Sequence, residues 1–216
     1  MTWLINPYQF GYSGTLLNNL ISWWPMDETS GTRVDSHGAN DLTDNNTVTY
    51  AAGKVGNSAL FTEANSEYLT LSSPPQPNAL SLSFWFRYTG AAVDFLFDIA
   101  NGVDIYINAG NMYNRLHAGV APVITGVSVD TWYHYVYTHN TSANTHTHYV
   151  NTSPVVLTGN NLALTSTLWI FGWRTSLAAG HSLNGQLDEF AAWDREIISG
   201  EVSELYNSGA GIGYPG

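Results

Sequence analysis

Along most of the chain, apolar and polar residues alternate with a period of two. The segments Ser81–Tyr88 (SLSFWFRY), Val103–Asn108 (VDIYIN), Thr131–Thr138 (TWYHYVYT), Thr147–Leu157 (THYVNTSPVVL), Thr167–Trp173 (TLWIFGW) and Gln186–Trp193 (QLDEFAAW) are short and rich in β-branched and aromatic residues. Clusters of Gly, Asn, Asp, Pro and Ser bound them, which predicts strands joined by turns. Leu20–Met26, Ser58–Thr62 and Glu67–Leu71 read the same way. Pro25 sits late in its run, so that strand is expected at an edge or ending there. Helical periodicity appears near the C-terminus. Ser199 reads as N-cap, Glu201 and Glu204 suit the early turns, Val202, Leu205 and Tyr206 form an apolar stripe, and Gly209 reads as the stop. Many strands with one short helix predict an all-β sandwich of two antiparallel sheets.

Composition narrows the partners. The 216 residues hold no cysteine, which excludes disulfides, thiolate metal sites and a cysteine nucleophile. Only 11% are charged, against about a quarter in ordinary globular chains, and the formal net charge is −11. The six basic residues are scattered singly, so there is no basic patch for nucleic acid and no polybasic segment for anionic lipid. A surface of Asn, Ser, Thr, Tyr and Gly suits neutral ligands such as sugars, or packing against other proteins. No basic residue precedes Arg33, and Asn6 and Pro7 interrupt the apolar run, so the N-terminus does not read as a secretion signal. No stretch reaches the roughly 18 apolar residues of a membrane span.

Four segments, in order, resemble laminin-G-like domains of the concanavalin A-like lectin/glucanase superfamily, of the kind found in phage virion proteins. The first is LISWWPMDETSGTRVDSHGANDLT, in which Asp27, Gly31, Asp35, Gly38 and Asn40 fall on the family's opening loop. The second is GKVGNSALFTEANSEYLTL. The third comprises LSLSFWFRY and DTWYHYVYTHN. The fourth is LNGQLDEFAAWDREIISGEVSELYNSG, similar to the closing strand and its helix. The resemblance implies a concanavalin A-like jelly-roll sandwich over residues 20–216, with residues 1–19 as a separate N-terminal arm.

It also implies a structural calcium site, with Asp35, Asn40 and Asp188 as ligands and Asp27 lower in rank. Asp and Asn beside Gly form Asx-turns without any metal as well, so both readings stand. The family's glucanases carry paired acids as E-x-D-x-(x)-E, which is absent here. Asp94 and Asp98 flank a very apolar strand and have no third acid, and Asp188 and Glu189, being adjacent, point to opposite faces. No enzyme is expected. His146 and His148 share one strand face with His134 and His139 in the neighbouring run. Three imidazoles can hold zinc, but Thr-His-Thr-His reads better as a solvent-facing sheet surface. Trp23, Trp85 and Trp132 are expected in the core between sheets, and Tyr133, Tyr135 and Tyr137 as an outward stripe.

Two functions follow. One is a non-enzymatic virion component (a decoration, neck or tail accessory protein) with a glycan-binding surface, located on the virion. The other is a secreted lectin or carbohydrate-binding module. Under both, a neutral-sugar site is expected among rim loops at Trp173, Arg174 and His181. The arm carries Trp3, Ile5, Tyr8, Phe10 and Tyr12, which are costly to leave in water. Pro7, Gly11 and Gly14 break it into pieces suited to an irregular surface, so it is expected to dock on other virion proteins or a homo-oligomer.

Overall fold

A computed structural model describes residues 14–90, 93–99, 103–114, 122–140, 142–158, 166–174, 176 and 180–216. The strands are β1 (Leu20–Trp24), β2 (Thr43–Asn45), β3 (Thr49–Ala52), β4 (Asn57–Phe61), β5 (Tyr68–Ser72), β6 (Ser81–Tyr88), β7 (Val93–Ile99), β8 (Asp104–Asn108), β9 (Asn111–Asn114), β10 (Ile124–Thr125), β11 (Tyr133–Asn140), β12 (Thr145–Val150), β13 (Ser153–Thr158), β14 (Leu168–Phe171) and β15 (Gly185–Trp193), followed by helix α1 (Ser199–Tyr206). The first sheet runs β13-β12-β11-β6-β15-β4-β3 and the second β10-β9-β8-β7-β14-β5-β2, all pairings antiparallel. This is the expected all-β sandwich with one short C-terminal helix. No helix among the described residues is long and apolar enough to cross a membrane.

The central strand β15 explains the sheet's layout. Along one side it pairs with β6; along the other, Gly185–Leu187 pair with β4 and Phe190–Trp193 with β1. Asp188 and Glu189 fall in the gap between those two partners, where the β6 register also slips and Glu189 turns to φ 47°. A bulge of this kind ends regular pairing and re-aims side chains.

Between the sheets lies one apolar cluster, including Trp24, Phe84, Phe86, Phe97, Ile105, Trp169, Phe171 and Phe190. Phe84 stacks on Phe190 at 4.7 Å, and Phe97 meets Phe171 edge-on at 5.0 Å. A second cluster covers the outer face of the first sheet: Trp23, Val136, Ala191 and Trp193 lie under Leu16, Val202, Leu205 and Ile212. The outer layer is therefore α1, the C-terminal tail and the segment before β1.

That layer overturns several expectations. Tyr135 and Tyr137 do not form an outward stripe; they are buried in the intersheet core, while His134 and Val136 are buried on the opposite face. His146 and His148 are fully buried rather than solvent-facing: Tyr137 pairs with His146 Nδ1 at 2.8 Å and Tyr135 with His148 Nδ1 at 2.7 Å. His139 stacks on His146 at 4.4 Å. Burial pushes both phenols above their ordinary range, so they keep their protons. Trp24 occupies the intersheet core, whereas Trp23 and Trp85 face the outer layer, Trp85 stacking on Tyr206 at 5.6 Å, and Trp132 is half-buried.

The arm boundary moves as well. Leu16 is fully buried, and its carbonyl accepts the Trp193 indole N–H at 2.7 Å. Arg195 donates to the carbonyls of Thr15 (2.9 Å) and Asn18 (2.7 Å) while forking onto Glu201 at 2.7 and 2.8 Å. Residues 14–19 thus belong to the sandwich. Trp3, Ile5, Tyr8, Phe10 and Tyr12 lie outside the described residues. Helix α1 starts one residue earlier than expected: Ile198 is the N-cap and Ser199 the first helical residue, and the Glu201 carboxylate accepts the Ile198 N–H at 3.0 Å. Asn207 in the left-handed region ends it, ahead of Gly209.

Candidate functional site

The outer face of the second sheet carries the aromatic side chains that the core leaves over. On β8, Ile105 and Ile107 enter the core, so Tyr106 points away from it; Met112 on β9 and Leu69 on β5 likewise leave Tyr113 and Tyr68 on the outer face. On β7, a bulge between Phe95 and Phe97 sends Phe97 to the core and sets Phe95 opposite Tyr106. The rings stack in a row: Phe95 on Tyr106 at 4.9 Å and 17°, then Tyr106 on Tyr113 at 5.1 Å and 11°. Tyr106 and Tyr113 are half-buried, each with part of its surface open to water.

The expected ligand residues arrive at this row. The Arg174 guanidinium lies over the Phe95 ring, 5.6 Å from its centre, and His181 meets the same ring edge-on at 5.8 Å. Trp173 packs against Tyr68 at 5.1 Å and 81°, on the other side of β14, and is largely buried. Trp173, Arg174 and His181 therefore mark one flank of a broader rank running from Tyr113 to Tyr68. Sequence reasoning missed Phe95, Tyr106, Tyr113 and Tyr68. For Tyr106 the signal was present, since it sits between two core isoleucines in a segment already read as a strand.

The acids of β7 also separate. Asp94 pairs with Ile107 and accepts the Asn184 N–H at 2.8 Å, whereas Asp98 stands opposite Asp104 beyond the bulge. They do not act as a pair on one face.

The set Asp35, Asn40 and Asp188 is split. Asp35 accepts backbone N–H groups from Trp23 (3.0 Å) and His37 (3.0 Å) on Oδ1 and from Asn40 (3.1 Å) on Oδ2. Burial opposes its ionisation, but these donors outweigh it and hold the carboxyl below its usual range. Asn40 completes the clamp on β1, donating to Ser22 Oγ at 2.8 Å and accepting the Trp24 indole N–H at 2.7 Å on its carbonyl. Asx-type capping accounts for both residues.

Asp188 has other company. Its Oδ2 accepts from Lys54 N (2.6 Å) and Val55 N (3.0 Å), while Oδ1 is buried without a hydrogen-bond partner. The same loop offers Asn57 N to Asp27 Oδ1 at 2.7 Å. Gly56 in this loop has φ +61°, and a Cβ there would stand 2.3 Å from Asp27 Oδ1, so only glycine admits the carboxylate. Burial, with Asp27 adding its charge, pushes Asp188 up to about 7 and Glu189 up to about 9, although Glu189 accepts the Trp23 indole N–H at 2.5 Å. Among the described residues no group of three or more His, Cys, Asp or Glu is arranged to hold a metal ion. The buried histidines do not form one either.

Two stacked antiparallel sheets with an aromatic outer face define a lectin-like β-sandwich. Residues 63–203 match a laminin-G family of the concanavalin A-like lectin/glucanases superfamily, and the chain belongs to it. The fold is similar to the binding domain of Paraclostridial Mosquitocidal Protein 1, with a TM-score of 0.68 and 17% identity over 89% of this chain and 53% of that one. It is similar to Trypanosoma rangeli sialidase in complex with sialic acid (TM-score 0.69, 14% identity, 89% of this chain and 34% of that one). It also resembles Domain 4 of AbnA, a GH43 extracellular arabinanase from Geobacillus stearothermophilus, in complex with arabinotriose (TM-score 0.60, 17% identity, 86% and 97%). The chain thus spans about half of the first of these and a third of the second. At such identities the likeness establishes the fold alone. No curated protein matches the chain by sequence.

Proposed function

We propose that the chain is a carbohydrate-binding domain without a catalytic centre of its own, taking neutral glycans on the outer face of the second sheet. The observation that carries this reading is the stacked row Phe95–Tyr106–Tyr113 with Arg174 and His181 at its end. Tyr106 and Tyr113, half-exposed beside the buried Phe95, offer apolar ring surface to the C–H faces of sugar rings, and the flanking polar groups supply hydrogen bonds. Domain 4 of the arabinanase, seen with arabinotriose, spans nearly its full length on the same fold and supports the reading by analogy. A glycan array followed by titration calorimetry tests it. Binding of a neutral oligosaccharide that is lost in Tyr106→Ala is expected, and no binding to any neutral glycan overturns it.

The setting we propose is the virion, with the aromatic residues of 1–13 as the docking arm. Support comes from the sequence resemblance and from the packing of residues 14–19 onto the sandwich, which gives such an arm a fixed point of departure. Recovery of the protein on assembled particles, lost on deleting residues 1–13, is the expected result. A signal-bearing precursor and free secretion would favour the secreted lectin instead.

A structural calcium ion is also proposed, now at Asp188 with Asp27 rather than at Asp35 and Asn40. Its support is the buried, unpartnered Asp188 Oδ1, with Asp27 bound to the same loop through Asn57 N. Such an ion would tie β15 to the Gly53–Asn57 loop and the chain after β1. Chelator is expected to lower the melting temperature, and Asp188→Ala to remove that sensitivity. Identical melting with and without chelator overturns it.

A further inference from the structure

We infer that the chain self-associates through the open edge of β13, which pairs antiparallel with β13 of a second copy across a two-fold axis at Val156. This goes beyond the glycan reading and concerns the other sheet.

Unprotected sheet edges invite pairing, and proteins usually shorten, charge or cover them. The other edges here are so treated. β10 has two residues and β2 three, with Asp44 in the middle of β2 accepting N–H groups from Gly31 (3.1 Å) and Val48 (2.9 Å). At β3, the Thr49 carbonyl accepts from Arg33 at 3.0 Å. β13 has six residues, Ser153, Pro154, Val156 and Thr158 are exposed, and Val156 keeps 59% of its surface in water.

The hairpin geometry shows which backbone groups face outward. Asn151 and Thr152 both take positive φ (46° and 74°), and Val150 stands opposite Ser153, as in a two-residue turn of the primed type. The Asn151 N–H goes to the His134 carbonyl at 3.0 Å, so Val150 directs its own backbone groups at β13. By alternation Ser153, Val155 and Leu157 bond to β12, while Pro154, Val156 and Thr158 present theirs to the open side. Pro154, with no N–H to offer, stands where an edge tolerates it.

These groups match a second copy of themselves. Centred on Val156, an antiparallel register exchanges Val156 N–H and carbonyl in both directions and sets each Thr158 N–H against the other copy's Pro154 carbonyl. Charge selects the same contact. A chain of net charge −11 repels its own copies, yet no Asp, Glu, Lys or Arg occurs from Thr131 to Trp173, the span that contains β11, β12 and β13.

Sedimentation velocity on the full chain, over a range of protein concentrations, tests this. The wild type is expected to show a concentration-dependent dimer. Val156→Lys, which sets like charges opposite each other, and Thr158→Pro, which removes only an outward N–H, should each raise the dissociation constant about tenfold or more. Pro154→Thr restores a donor and should lower it. Circular dichroism and melting confirm that each variant is folded, and should Thr158→Pro not fold, Val156→Lys decides. A wild type that stays monomeric at every concentration overturns the proposal, including the case in which the edge serves an extended segment of another protein. A folded Val156→Lys that dimerises as the wild type does also overturns it. Glycan titration of the monomeric variant should give the wild-type affinity per site, which keeps the two proposals separable.

Discussion

The two sheets differ most on their outer faces. Outside the first sheet, Trp23, Trp193, Ala191 and Val136 are sealed beneath α1, the tail and Leu16, so β1, β11 and β15 have core on both faces. Outside the second, Tyr106, Tyr113 and Tyr68 keep part of their surface in water, with Arg174 and His181 beside them. Both outer faces carry aromatic rings; what differs is whether another layer arrives to cover them. Covered rings serve stability, and uncovered ones are available to a ligand. Substitutions on the first face should therefore read out in melting, and those on the second in binding.

The largest effect is expected at Trp193. It is fully buried, meets Trp23 edge-on at 6.2 Å and donates its indole N–H to Leu16. Trp193→Ala should cost about 3–5 kcal/mol of stability in denaturant titration, with the glycan affinity of the remaining folded protein unchanged. A cost below about 1 kcal/mol, the range of exposed sites, would erase the contrast between the faces.

Truncation tests the same layer from its other side. A chain starting at Asn18 loses the buried Leu16, worth about 2–5 kcal/mol, and strips acceptors from Trp193 and Arg195, compared with one starting at Gly14. The shorter form should melt well below the longer. Equal melting of the two would return residues 14–17 to the arm.

Acid sharpens the comparison further. His134 is buried beneath Trp85 and Tyr206, and burial lowers it to about 3 from an ordinary value of 6.5. Between those values the unfolded chain binds a proton that the folded one refuses. Stability from this group is complete above pH 6.5 and falls by about 1.4 kcal/mol per pH unit as pH drops toward 3. Asp188 and Glu189, raised by burial, act with the opposite sign over this window, so the test is a difference. His134→Asn should lose less stability than the wild type between pH 6.5 and 3, and an equal loss would show that His134 does not contribute.

How much of this was legible depended on what a single strand can reveal. Ser81–Tyr88 was read with the bounds it has, because an eight-residue alternating run between turn formers has few alternatives. Thr147–Leu157 was read as one strand, although Asn151-Thr152 folds it into a hairpin, since Asn-Thr is a weaker turn signal than Asn-Gly. The tyrosines of β11 were assigned outward because alternation fixes which residues share a face without saying which face is wet. Thr-His-Thr-His looked solvated for the same reason, and its burial depends on hydroxyl partners from the adjacent strand. Local composition points to Arg174 and His181, and the structure adds that both meet the Phe95 ring. Phe95 needed the bulge in β7, and the split of Asp35 from Asp188 needed the gap in pairing along β15, neither of which periodicity announces.

The smallest change in stability, and the sharpest test of the second face, is expected at Tyr106. Its ring lies between Phe95 and Tyr113, with part of its surface in water. Tyr106→Ala removes the middle platform of the row while Ile105 and Ile107 keep β8 anchored in the core. Melting should shift by no more than about 1 kcal/mol, as for other half-exposed strand positions. Loss of one aromatic platform and its buried area should weaken glycan binding about tenfold. Tyr106→Phe keeps the platform and removes only the hydroxyl, so it should retain most of the affinity. If Tyr106→Ala unfolds the protein, the outer face of the second sheet is core like that of the first. If it folds and binds as the wild type does, the ligand lies elsewhere.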